Sequence, residues 1–276
     1  MREIDRLTGE RYSLPSLLLM ESAASAAARA VTERLPEGLA GLRALVLCGP
    51  GNNGGDGAAL ARQLCTQGAH VEAVLFGLAG DARGDARTNF LAAAKLSQAA
   101  RFNDLPEPDA AGLTIFDATG GNLQLVECRS REEWESYLYR QSAQDFDVIV
   151  DALFGTGLTR PVEGLHLEAI KYLNKCREMR APSDAPRPFI LSLDIPSGLD
   201  ADSPELIGEA VRADLTVTFT APKPANVIPP ASHLNGQLVV ADIGSPSSLI
   251  DESPSQLFLV EPGDARSWLR ATRYAP

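Results

Sequence analysis

The sequence predicts an α/β protein built on a doubly wound, mostly parallel sheet with helices on both faces, and three observations lead there. Apolar runs recur at Ala44 to Cys48, Val71 to Phe76, Asp147 to Val150, Phe189 to Leu193, Leu215 to Phe219 and Leu238 to Val240. Several are almost wholly apolar, as strands covered on both faces are. Helical patterns lie between them, at Asp56 to Gln67, Arg83 to Ser97, Arg131 to Arg140 and Leu165 to Arg177. Finally, the glycine-rich stretch from Gly49 to Gly57 separates the first strand from the helix that follows it. Strand, helix, strand repetition of this kind places a ligand site at the carboxyl ends of the strands.

In chain order, the first 34 residues read as two helices broken near Pro15, the second ended by Pro36 and Gly38. Between Arg101 and Gln144, the segments Leu113 to Asp117 and Leu123 to Cys128 read either as extra strands or as an excursion from the sheet. Ala181 to Pro188 is a proline-rich surface loop, and Gly244 to Pro254 is rich in turn residues before a last short helix near Asp264 to Arg270. No internal repeat is evident. The organisation expected is one main domain over residues 1–244 and a C-terminal tail over 245–276, read as a remnant linker or a dimer element.

With 45% hydrophobic and 22% charged residues, the chain of 276 can bury one sizeable core, and its composition is neither disordered nor membrane-spanning. A net charge of −11 opposes binding to nucleic acid or to an anionic membrane. A bound phosphate must therefore be held locally, by backbone donors or by a cation. Cys48, Cys65, Cys128 and Cys176 are scattered, without a Cys-x-x-Cys pair or a Cys/His cluster, which fits buried thiols in a reducing compartment. His70, His166 and His233 lack nearby ligand partners, so a zinc site is not expected. No apolar run approaches 18 residues, and Met1 to Arg6 is too acidic to begin a secretory signal, so a cytoplasmic location is expected.

Gly49, Gly51 and Gly54 carry the Gly-x-Gly-x-x-Gly spacing of dinucleotide-binding folds. A strand running through such a loop into a helix makes a phosphate cradle. The glycines are expected to turn with positive φ, and the first N–H groups of the helix offer unpaired donors. The carboxylate that usually holds a ribose hydroxyl about 20 residues on is missing, since the second strand ends in Phe76-Gly77. A Walker loop fails too, because Ala58-Ala59 follows Gly57 in place of Lys and Ser/Thr. The cradle is thus Rossmann-like without either standard cofactor pattern. Asn52, Asn53 and Asp56 are polar side chains beyond what a simple turn needs.

Two further strands end in an aspartate followed by a turn, Asp151 to Leu158 and Asp194 to Asp200. An aspartate there serves as cap, turn former or catalyst. Asn53, Asp151 and Ser197 supply hard oxygen atoms suited to a cation, and Gly155-Thr156-Gly157 offers a second backbone cradle. Lys223, between Pro222 and Pro224, either meets ligand charge, supports Asp194 or is solvated.

From Met1 to about Gly244 the chain resembles the NAD(P)H-hydrate epimerases, which repair damaged nicotinamide cofactors. The resemblance rests on Leu19-Met20-Glu21, Gly51 to Gly57, Val150 to Leu158, Asp194 to Asp200 and Ala221-Pro222-Lys223-Pro224, in this order at strand ends. It departs at Ser22-Ala23-Ala24, where that family commonly has Asn-Ala-Gly, and at Asn226, where glycine is usual. The resemblance implies that Asn52, Asn53, Gly54, Gly55, Asp56, Gly155, Thr156, Gly157, Leu158, Thr159, Arg160, Pro161 and Asp194 contact the substrate. That substrate is NADHX or NADPHX, hydrated at ring carbon 6. It also implies one potassium ion (K+) per subunit on Asn53, Asp151 and Ser197, a homodimer, and a separate NAD(P)H-hydrate dehydratase as functional partner. Asp194 is the catalytic candidate with Lys223 tuning its charge, while Asp56 is read as a helix cap or ligand contact. Rival readings are a noncatalytic nucleotide-binding or interaction module, a dehydrogenase using intact NAD, and a small-molecule kinase. The last two lack the ribose carboxylate and the Gly-Lys-Ser/Thr loop respectively.

Overall fold

In this computed structural model the chain runs α1 (Arg2–Tyr12), α2 (Ser16–Thr32), β1 (Arg43–Cys48), α3 (Asn52–Thr66), β2 (His70–Phe76), α4 (Gly84–Ser97), β3 (Thr114–Asp117), β4 (Leu123–Cys128) and α5 (Arg131–Arg140). It continues through β5 (Val148–Ala152), α6 (Gly164–Glu178), β6 (Phe189–Leu193), β7 (Leu215–Phe219), α7 (Pro224–Val227), β8 (Gln237–Ala241), α8 (Ser247–Asp251) and α9 (Pro262–Trp268). The structure describes residues 1–35, 38–97, 108–110, 112–117, 121–179, 187–255, 257–260 and 262–268. The expected stop at Pro36 and most of the proline-rich loop after Ala181 lie outside these residues.

One sheet holds the strands in the order β3-β4-β2-β1-β5-β6-β7-β8, with every pairing parallel except β3 against β4. The ambiguous stretch before Gln144 therefore carries two strands, of which β4 extends the parallel sheet beside β2 and β3 closes that edge antiparallel. β1 lies between β2 and β5, so the chain winds away from β1 in both directions. That reversal is the topological switch point, where the strand ends open a crevice.

The strands are apolar throughout because both faces are covered. Along β1, Ala44, Val46 and Cys48 pack in the core shared with α2, α3 and α4, whereas Leu45 and Leu47 pack in the core shared with α5 and α6. Phe90 from α4 and Trp134 from α5 anchor the two sides. The break near Pro15 has a local cause. Ser13 takes φ 54° and ends α1, and Pro15 stands at the N-cap of α2 with extended backbone, where its missing N–H is no loss. α8, in the stretch set apart as a tail, packs back on α1. Arg11 pairs there with Glu252 at 2.7 Å, and the Tyr12 hydroxyl meets Ser248 Oγ at 2.7 Å.

The glycine-rich stretch departs from expectation twice. α3 begins at Asn52 rather than near Asp56, with Gly51 as its N-cap, so the polar residues of the stretch are helical. Propensity hid this start, because two glycines in a first turn read as loop. Nor do Gly49, Gly51, Gly54, Gly55 or Gly57 take positive φ. Close approach explains two of them instead. A Cβ on Gly54 would lie 1.7 Å from the carbonyl oxygen of Gly49, and one on Gly57 would lie 2.6 Å from Ala152 Cβ on β5. The missing side chains let α3 rest on the ends of β1 and β5. Gly54→Ala is expected to destabilise the fold by about 1–3 kcal/mol or more, since the clash is with backbone. Thermal unfolding would show it as a drop of several degrees; an unchanged midpoint would mean the cradle gives way at no cost.

Candidate active site

Four connections meet at the carboxyl end of the sheet around the switch point. The first turn of α3 carries Asn53, which is buried and has neither Oδ1 nor Nδ2 hydrogen-bonded. A buried amide without partners is unfavourable in an otherwise satisfied fold and marks a place where a ligand atom belongs.

Asp151, on β5, is fully buried. Its register partner on β6 is Ser192, whose hydroxyl donates to Asp151 Oδ2 at 2.8 Å. The Ser197 N–H donates to the same oxygen at 2.8 Å, while Ser197 Oγ and the Leu153 N–H donate to Oδ1 at 2.5 and 3.3 Å. Burial pushes this carboxyl above the ordinary range, and the bonds from Ser197, Ser192 and Leu153 pull it back. Ser197 in turn bridges to the loop after β5, because its Oγ also accepts from the Phe154 N–H at 2.9 Å.

Asp194 follows β6 in the left-handed region at φ 66°, a strained conformation for a residue with a side chain. Its Oδ1 accepts from Lys223 Nζ at 2.5 Å. The same ammonium donates to Thr218 Oγ1 at 2.8 Å and to the Phe219 carbonyl at 2.9 Å, so all three of its protons are used. Of the three readings open for Lys223, the geometry is that of support for Asp194; the side chain is 4% exposed rather than solvated. Asn226 braces the arrangement from α7, accepting from the Lys223 backbone N–H at 2.8 Å and donating to Asn235 Oδ1 at 2.9 Å.

The second oxygen of Asp194 faces elsewhere. Oδ2 lies 3.1 Å, and Asn53 Oδ1 lies 3.4 Å, from the position a Cβ on Gly155 would occupy. Gly155, lacking a side chain, therefore leaves a gap beside a carboxylate oxygen and an unpartnered amide oxygen. Asp56 stands within the field of this site. Burial, then the charges of Asp194 and Asp5, raise its carboxyl well above the usual carboxylate range, against a smaller opposing effect of Lys223. Of the two readings for Asp56, helix cap or ligand contact, the cap does not hold, because the residue lies within α3, beyond Gly51.

In the loop after β5, the Gly157 N–H turns back onto the Gly155 carbonyl at 2.7 Å. Thr156 is half-buried, Leu158 packs on the α5 and α6 side, and Thr159, Arg160 and Pro161 are exposed. The structure thus brings Asn53, Gly155 and Asp194 together, links Asp151 to Ser197, and sets the outer loop residues at the surface.

For a cation, the described residues hold no group of three or more His, Cys, Asp or Glu side chains placed to ligate one metal ion. Of the oxygen donors expected to hold a monovalent cation, Ser197 Oγ donates to Asp151 Oδ1 at 2.5 Å, so those two are engaged with each other. The unpartnered Asn53 Oδ1 fits such an ion best. Asp151 already accepts four hydrogen bonds.

Sequence reasoning missed Ser192, Thr218 and Asn226. The first two carried a signal, since each is polar within a strand covered on both faces, Ser192 alone on β6 and Thr218 with Thr216 on β7. It also missed α1. Arg2 Nη2 donates to the Thr156 carbonyl at 2.9 Å, and Asp5 lies in the fields of Lys223 and Asp194.

Residues 16–225 match the family described as YjeF-related protein N-terminus. A "Bifunctional NAD(P)H-hydrate repair enzyme Nnr" of Moorella thermoacetica is 35% identical over 252 residues, covering 91% of this chain and 40% of that protein. The chain thus spans about 40% of the length of such bifunctional relatives. An "NAD(P)H-hydrate epimerase" of Rhodopirellula baltica is 31% identical over 91% of this chain and 84% of its own length. One of Limosilactobacillus fermentum is 31% identical over 88% of this chain and 93% of its own. The crystal structure of the yeast protein ynu0, YNL200c, matches 95% of this chain and 94% of its own at a TM-score of 0.65, with 22% identity, which bears on the fold alone.

Proposed function

Since the chain belongs to the family of YjeF-related protein N-termini, we propose that it is an NAD(P)H-hydrate epimerase, an isomerase that interconverts the R and S forms of hydrated NADH or NADPH. The observation that carries this reading is the division of labour at Asp194. Oδ1 is fixed by Lys223, while Oδ2 faces the gap beside Gly155 and the unpartnered Asn53.

Epimerisation at ring carbon 6 breaks and remakes one carbon–oxygen bond. The ring nitrogen supplies the electron pair that expels the hydroxyl group, which leaves with a proton as water; water then adds to the iminium-like cation on the opposite face and loses a proton. One carboxyl group that holds a proton and one that is ionised serve both halves. We assign the first to Asp56, whose carboxyl is raised well above the usual carboxylate range by burial and by its acidic neighbours. Asp194, ion-paired with Lys223, stabilises the cation and supplies the second. Each such acid or base contribution is worth roughly 10²–10⁴ in rate. Asn52 to Asp56 and the loop from Gly155 to Pro161 would hold the rest of the dinucleotide.

One K+ on Asn53, Asp151 and Ser197 would supply the positive charge that an acidic protein needs beside its phosphate cradle. We place the enzyme in the cytoplasm, with a separate dehydratase consuming its product and a homodimer as the working assembly. Cys48, Cys65, Cys128 and Cys176 are all unpaired, in keeping with a reducing compartment. Among the described residues no helix is long and apolar enough to cross a membrane.

The test mixes the protein with R and S NADHX and a dehydratase that consumes only the S form. Disappearance of the R form faster than its spontaneous rate is the expected result. It should be faster with K+ than with tetramethylammonium, and Asn53→Ala should lessen that difference. No acceleration, with nucleotide binding intact, would replace the enzyme by a binding module.

A further inference from the structure

α1 precedes the residues that match the family, yet two independent observations turn it toward the site. The guanidinium of Arg2 lies against the Gly155 to Gly157 loop. Its Nη2 donates to the Thr156 carbonyl at 2.9 Å and stands 2.7 Å from where a Cβ on Gly157 would be. One helical turn later, on the same face, half-buried Asp5 meets the charges of Lys223 and Asp194, and Asp56 in turn feels Asp5.

The charge balance of this crevice gives the arrangement its meaning. The charges of Asp5, Asp56 and Asp194 act on one another there, and Lys223 spends all its protons on protein groups. A dinucleotide brings further negative charge at its phosphates. Arg2 is exposed, and one hydrogen bond to Thr156 leaves the other edges of its fork free. Gly157 has no side chain to push the guanidinium away from the loop.

We propose that α1 forms a wall of the substrate site and that Arg2 is a substrate-binding residue, meeting a phosphate of the dinucleotide above the Gly155 to Gly157 loop. This deepens the epimerase reading and rests on it. Arg2 orients the phosphate end of the substrate and takes no part in breaking the carbon–oxygen bond. Its contribution therefore belongs to affinity.

Titration calorimetry with ADP-ribose, at low and high salt, tests this alongside epimerase kinetics. Arg2→Ala should bind ADP-ribose about tenfold more weakly than the parent, the size of one charge-assisted hydrogen bond. Its salt dependence should flatten, and KM should rise with kcat within about twofold. Arg2→Lys, which keeps the charge and loses the fork, should fall between. Unchanged affinity in Arg2→Ala, or a fall in kcat with affinity intact, would overturn the inference alone and make Arg2 a brace for the loop. A parent protein that neither binds ADP-ribose nor epimerises would overturn the functional reading as well.

Discussion

Asp194→Asn is expected to lower kcat by roughly 10²–10⁴ while ADP-ribose still binds. The substitution is nearly isosteric, and the amide oxygen can take the place of Oδ1 in accepting from Lys223 and Thr218. What changes is the atom facing the gap beside Gly155. An oxygen that accepts a proton becomes an amide that cannot, and the negative charge that would stabilise a cationic ring is gone. Coupled turnover of R NADHX gives the rate and calorimetry gives the affinity. Undiminished kcat would remove Asp194 from the chemistry and leave Asp56 as the acid without a partner.

The frame of this molecule was legible because its strands are buried twice over. β1, β2, β5, β6 and β7 are covered on both faces, so they read as largely apolar runs, and the aspartates of β5 and β6 stand out where those runs stop. The order of strand and helix then fixed where a ligand belongs, at the ends of β1 and β5. The start of α3 was hidden for the opposite reason. Its glycines answer to the backbone of Gly49 and to Ala152 on β5, close approaches that only the fold creates, and propensity alone turns them into a loop. Lys223 was ambiguous because only the fold decides whether a lysine between two prolines meets water or Asp194. Arg2 carried no local signal at all. Its role arises from the packing of α1, and a contact spanning 154 positions leaves no trace in helical periodicity.

Lys223→Met should destabilise the protein by about 3–5 kcal/mol and cost most of the activity with it, because it strips a buried carboxylate of its counter-charge. Asp194 is 9% exposed, and without the ammonium only Thr218 remains on Oδ1. The left-handed backbone at Asp194 survives because its surroundings hold it there: its N–H donates to Val217 at 2.8 Å, and Lys223 pins its side chain. Removing the pin frees the Asp194 side chain to turn toward solvent, which misdirects Oδ2. A double variant separates the two contributions. Asp194→Leu with Lys223→Met buries no charge, so it should be more stable than the sum of the single losses predicts, though inactive. Urea unfolding of the parent, both single variants and the double variant gives the coupling directly. Additive losses would mean that the pair is not energetically joined, and that Lys223 holds Asp194 in place by packing alone.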